Sequence, residues 1–174
     1  MSAHTNRLNV RRVRADEWRA YRDIRCAALR DAPTAFGERL ASAEQRTDQE
    51  WRERTALGAE GVEQVLLVAE RHGDTSFVGL TGCRLTEAGD ADIISVWVSP
   101  SERGAGIARQ LLDQALAWAA SRGAVHAHLC VTEDNDTAAR LYRAAGFVPT
   151  GEYSPHRSAP ELRDVHMALD LTPH

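Results

Sequence analysis

Two short segments hold residues whose types and spacing can do chemistry. The first is Val96-Trp97-Val98-Ser99-Pro100-Ser101-Glu102-Arg103-Gly104-Ala105-Gly106-Ile107-Ala108-Arg109. It reads as the end of a β-branched strand, a loop, a glycine-rich turn and the start of a helix. Gly104 and Gly106 have no Cβ, so a ligand can come close to the backbone. The first N–H groups of the helix have no internal acceptor, and the helix dipole adds to their pull on an anion. The turn therefore offers binding of a phosphate or pyrophosphate, with Arg103 as a charged donor beside it. Two nucleotide-binding signatures are excluded. A G-x-G-x-x-G count from Gly104 ends on Arg109, and a P-loop needs a lysine, which the chain lacks.

The second segment is Asn135-Asp136-Thr137-Ala138-Ala139-Arg140-Leu141-Tyr142-Arg143-Ala144-Ala145-Gly146-Phe147. Asn135 and Tyr142 are seven positions apart, two helical turns, so they share a face. Ala138 or Ala139 between them leaves room for something to lie along the helix. Taken together, R-G-x-G-I-A after a strand and N-x-x-A-x-x-L-Y-x-x-x-G-F about 30 residues later resemble the GNAT superfamily of acyl-CoA-dependent N-acetyltransferases.

That resemblance implies an α/β (α+β) fold: one domain over residues 1–174 with a central mixed, mostly antiparallel sheet flanked by helices. It also implies roles. The backbone from Arg103 through Gly104, Ala105, Gly106 and Ile107 to Ala108 would bind the pyrophosphate of acetyl-CoA, the cosubstrate. Val96 and Val98, near a bulge, would pair with the pantetheine arm, and the Val96 N–H would polarise the thioester carbonyl. Asn135 would hydrogen-bond the arm, Ala138 would lie beside it, and Tyr142 would protonate the leaving thiolate. No metal takes part. The final strands of this superfamily often pair across subunits, which implies a homodimer.

An amine attacks only when neutral, so something must take its proton. Asp92 opens the central strand, and by period two it shares a face with Ile94 and Val96. A carboxylate there can serve as base, through a water. His126, His128 and Cys130 share a face of the next strand, which makes His128 a second candidate. The outer two of these three stand about 13 Å apart, too far to ligate one metal ion. Glu87, Asp90, Glu133, Tyr153 and His156 sit on loops that can border the same cleft. Phe36, His128 and Tyr153 are the candidate acceptor contacts. The resemblance implies that the 31–37 loop, with Phe36, and the loop between the last two strands, with Tyr153, His156 and Arg157, border the acceptor site; their side chains suggest a small polar amine: an amino acid, an antibiotic or a polyamine. An acyl-CoA sensor without turnover and a protein N-terminal or lysine acetyltransferase are the alternatives.

The elements that must position these residues follow from pattern. Strands are expected at 8–13, 65–70, 77–86, 92–98, 125–131, 147–153 and 165–171. Helices are expected at 17–31, capped by Asp16, and at 42–57, 104–122 and 135–145. Trp18, Tyr21, Ile24 and Ala28 form the apolar stripe of the first helix, and Ile107, Leu111, Ala115 and Ala119 that of the third. The 174 residues suit one globular core, and the net charge of −4 gives no nucleic-acid footprint. Three well-separated cysteines give no disulfide or zinc framework. The longest apolar run, 65–69, is too short for a bilayer, so the expected location is cytoplasmic.

Overall fold

In the computed structural model, which describes residues 8–172, seven strands form one sheet. They are β1 (Leu8–Arg12), β2 (Gln64–Arg71), β3 (Phe77–Leu85), β4 (Ala91–Val98), β5 (His126–Thr132), β6 (Val148–Pro155) and β7 (Arg163–Asp170). Their order is β1-β2-β3-β4-β5-β7-β6, antiparallel throughout except for the parallel β4–β5 pair. The helices are α1 (Trp18–Asp31), α2 (Leu40–Glu44), α3 (Asp48–Glu60), α4 (Ile107–Ser121) and α5 (Asp136–Ala144). Both ends of the domain expected over 1–174 lie outside the described residues. Among the described residues no helix is long and apolar enough to cross a membrane.

Each face of the sheet has its own core. On one, Ile107, Leu111, Ala115 and Ala119 of α4 pack with Ile93, Val98, Leu129 and Tyr142. On the other, Trp18, Tyr21, Ile24 and Ala28 of α1 pack with Trp51, Leu66, Leu80 and Trp97. Both stripes are those that the 3.6-residue period requires.

Three expectations need correction. The helix expected over 42–57 is two helices. The side chain of Thr47 accepts the Glu50 N–H at 3.2 Å, and Glu50 accepts the Thr47 N–H at 2.6 Å. This reciprocal cap starts α3 afresh, and the Thr-x-x-Glu signal was present in the sequence. Asp16 does not cap α1. It stands exposed in a short 3₁₀ turn, and Glu17 instead accepts the Arg14 N–H at 2.8 Å. Lastly, α4 starts at Ile107; Gly104 and Gly106 belong to the turn before it.

Candidate active site

The parallel pairing of β4 with β5 covers only Ala91–Ala127 and Asp92–His128. Past that point the two strands part, leaving the β5-side edge of β4 without a strand partner. A cleft of about 1680 Å³ opens there; its walls include Ile93, Ser95, Val96, Asn135, Ala138 and Tyr142. It continues to the α1 face, where Phe36, Asp92 and His128 border it. A gap of this kind lets one ligand reach the other through the sheet.

β4 carries a bulge where the gap begins. Gly82 pairs with Ile94 and Leu80 with Trp97, so Ser95 and Val96 together oppose Thr81. Ser95 takes φ +63, a left-handed conformation that costs a non-glycine residue about 1–2 kcal/mol. The extra residue reverses the alternation of side chains. Val96 and Val98 pack into the α4 core, whereas Trp97 packs on the α1 side. The period-two argument that put Asp92 and Ile94 on one face with Val96 therefore fails at the bulge.

Gly104 and Gly106 have φ +83 and +77, and nothing lies within 4 Å of where their Cβ atoms would be. These glycines meet a backbone requirement as well as leaving open space. No side chain caps α4, and among the described residues the amides of 104–109 have no chain acceptor. An anion of diphosphate size fits such a turn.

Arg103 does not point its guanidinium at the turn. Its Nε donates to Val98 O at 3.0 Å and its Nη2 to Asp31 Oδ2 at 2.6 Å. The Trp97 indole N–H donates to the same Asp31 oxygen at 2.9 Å. Arg103 is thus a brace between α1 and the end of β4, and its expected role as a charged donor to phosphate is corrected to this. The Trp97 hydrogen bond first, then Arg103, holds the Asp31 carboxyl below its ordinary range. A lowered carboxyl stabilises the fold above its unfolded pKa of about 3.9, and that contribution is lost as pH falls through the folded value. Asp31→Ala is expected to cost about 1 kcal/mol in urea unfolding at pH 7, with the difference from the parent closing toward pH 3.

Tyr142 is held by the way α5 ends. The Gly146 N–H donates to Arg143 O and the Phe147 N–H to Tyr142 O, both at 3.0 Å, with Gly146 at φ +101. This Schellman closure sets Phe147 edge-on against Tyr142, ring centroids 6.1 Å apart. The L-Y-x-x-x-G-F string is therefore a device that fixes the phenol. Tyr142 is 8% exposed, and burial alone pushes its hydroxyl up to about 12. Asn135 is the N-cap of α5; its Oδ1 accepts the Ala138 N–H at 3.1 Å, which leaves its Nδ2 free to donate.

The candidate bases already have partners. Arg84 donates twice to Asp92 Oδ2, at 3.2 and 3.1 Å. His128 Nε2 lies 3.2 Å from Asp90 Oδ2, and His126 Nδ1 lies 3.1 Å from Asp90 Oδ1. If Asp90 holds the Nε2 proton of His128, Nδ1 is the open acceptor of that ring.

Phe36 is buried at the cleft wall, whereas Tyr153 is 54% exposed with the Arg163 guanidinium 4.8 Å from its ring centroid. Strand alternation points Glu152 and Ser154 into the cleft instead, which corrects the Tyr153 assignment. Glu133 is tied to the same Arg163, Glu87 is exposed away from the cleft lining, and His156 is buried and accepts the Ala159 N–H at 3.2 Å. Sequence reasoning missed Arg25, Glu38, Asp164 and His166, which also line the cleft. A signal existed for Arg25, which sits on the buried stripe of α1, four residues after Tyr21 and three before Ala28.

The model of the acetyltransferase (GNAT) family matches residues 16–147, so the chain belongs to the GNAT family. It is 36% identical over 86 residues to the N-alpha-acetyltransferase RimI of Mycobacterium tuberculosis, a match over 48% of this chain and 52% of that protein. An uncharacterized protein of Mycobacterium leprae is 37% identical over 86 residues, which are 48% of this chain and 23% of that one. The chain thus spans about half or less of the curated relatives it matches. A GNAT-family acetyltransferase from Streptococcus pneumoniae superposes with TM-score 0.80 at 18% identity, covering 95% of this chain and 100% of that one. The spermidine N-acetyltransferase of Vibrio cholerae, in complex with CoA and spermine, gives TM-score 0.74 at 18% identity, covering 94% and 95%.

Proposed function

We propose that the protein transfers an acetyl group from acetyl-CoA to a primary amine by direct attack within a ternary complex. The observation that carries this reading is the early parting of β4 from β5, beside an uncapped helix start and with Tyr142 in the wall of the gap. Acetyl-CoA supplies the acetyl group as an activated thioester. The amides from Arg103 to Ala108 hold its diphosphate. The free edge of β4 at Val96 and Val98 pairs with the pantetheine arm as an added strand, and Asn135 Nδ2 donates to it. The Val96 N–H donates to the carbonyl oxygen as negative charge develops there. Asp92, through a water and beside His128, takes the proton of the incoming ammonium. The amine nitrogen bonds to the carbonyl carbon, the C–S bond breaks, and the Tyr142 hydroxyl hydrogen-bonds the departing sulfur, which takes up from water the equivalent of the proton that the new amide nitrogen loses.

The acceptor is a small polar amine that enters from the α1 face past Phe36. Asp92, Glu152 and Asp164 in the cleft lining suit a cationic ammonium. A protein N-terminus is the second reading, favoured by the likeness to an N-alpha-acetyltransferase. Thiol release from acetyl-CoA, followed with polyamines, amino acids, aminoglycosides and N-terminal peptides, tests both. Release should exceed the buffer rate for at least one class. Tight acetyl-CoA binding with no release for any class would replace the transferase with a sensor.

A further inference from the structure

The bulge that opens the gap is built from an unfavourable residue. At φ +63 glycine is the default, since it has no Cβ to clash. Position 95 is serine, so the strain must be held by its surroundings. Among the described residues the hydroxyl has one hydrogen-bond partner: Arg25 Nη1 of α1 donates to Ser95 Oγ at 2.7 Å. Arg25 is 4% exposed, an unusual depth for a guanidinium, and it is fixed from three sides. Its Nε and Nη2 donate to Glu38 Oε2 at 3.2 and 2.9 Å, and it lies 4.8 Å from the Phe36 ring centroid. Arg46 holds the other Glu38 oxygen. Burial pushes the Glu38 carboxyl up, but Arg25 and Arg46 outweigh that and keep it ionised. A network so fixed can hold one backbone conformation rather than a range of them. From the other side, Thr81 Oγ1 donates to Ile94 O at 3.1 Å.

We infer that Arg25 is a positioning residue. Through the Ser95 hydroxyl it locks the β4 bulge in its left-handed form and so aims the Val96 amide into the cleft. This rests on the proposed role of that amide. Arg25 touches no reacting atom. Its contribution lies in the direction of the donor on the peptide unit that follows Ser95, where an error of about 1 Å costs up to about 10²-fold in rate.

Substitutions at position 95 separate positioning from chemistry. Ser95→Ala retains the Cβ that disfavours φ +63 and removes the contact that holds it there. It should lower kcat about tenfold with KM for acetyl-CoA within about twofold of the parent. Ser95→Gly also removes the hydroxyl but removes the strain as well, so kcat should stay within about twofold. Arg25→Met should lower kcat at least as far as Ser95→Ala, and Arg25→Met/Ser95→Gly should recover most of the loss. If Ser95→Gly falls as far as Ser95→Ala, the hydroxyl acts directly and the inference is wrong. An Arg25→Met crystal structure in which residue 95 keeps φ near +63 would also overturn it, whatever the activity. This structural readout does not need turnover, so failure of the acetyltransfer reading, seen as no acetyl-CoA binding by the parent, remains distinguishable.

Discussion

Tyr142→Phe should lower kcat for acetyl transfer by about 10²-fold while calorimetry finds acetyl-CoA affinity within about twofold of the parent. The ring is locked by Phe147 and the closure at Gly146, so Phe fills the same space and only the hydroxyl is lost. Burial pushes that hydroxyl up to about 12, which bears on how it would act in the proposed mechanism. A cysteine thiol has a pKa of about 8.5, and complete transfer from the phenol to a thiolate of that basicity would run uphill by about 5 kcal/mol. In the proposed mechanism Tyr142 would therefore contribute a hydrogen bond to charge developing on sulfur as the C–S bond stretches, rather than a proton given up beforehand. The same value fixes the pH dependence. A phenol of raised pKa stays protonated below about 12, so kcat should rise as the amine deprotonates and then hold level through pH 10.5. An alkaline fall with a midpoint near 9 would assign the donor role to another group.

Local pattern announced most of this molecule. The stripes of α1 and α4 and the hairpin of β2 with β3 follow from period and turn chemistry alone. Helix caps written in neighbouring residues were equally available: Thr47 with Glu50, and Gly146 with Phe147. What lay beyond local reasoning depends on contacts between distant segments. Arg103 looked like a phosphate donor because no carboxylate near it in sequence signals a claim on its guanidinium; Asp31, 72 positions earlier, makes one. Ser95 gave no sign of positive φ, since serine is an ordinary strand residue and its bulge is fixed by Arg25, 70 positions away. That one inserted residue also moved Val96 to the face opposite Asp92, a result no strict alternation can give. Tyr153 read as a cleft aromatic because the expected strand ended on it at a loop, whereas β6 continues to Pro155 and turns its ring outward.

Gly106→Asp gives the other large effect, because it sets the demands of the fold against those of the ligand. Gly106 precedes α4 with φ +77, and aspartate is among the few side chains that tolerate this region. Aspartate is also a strong N-cap. Its carboxylate can accept from the orphan amides of 107–109 and complement the helix dipole. The thermal midpoint should therefore change by only a few degrees, on the order of ±1 kcal/mol in stability. The 107 and 108 amides are among those assigned to the diphosphate, and the new carboxylate both competes for them and repels the anion. Acetyl-CoA affinity should fall at least about 10²-fold, roughly 2.7 kcal/mol, with Gly106→Ala losing less. If Gly106→Asp binds acetyl-CoA as the parent does while the fold is intact, the diphosphate rests elsewhere. The assignment of the turn would then fall even though the chain's place in the family stands, since a shared fold does not by itself fix where a ligand's charge is held.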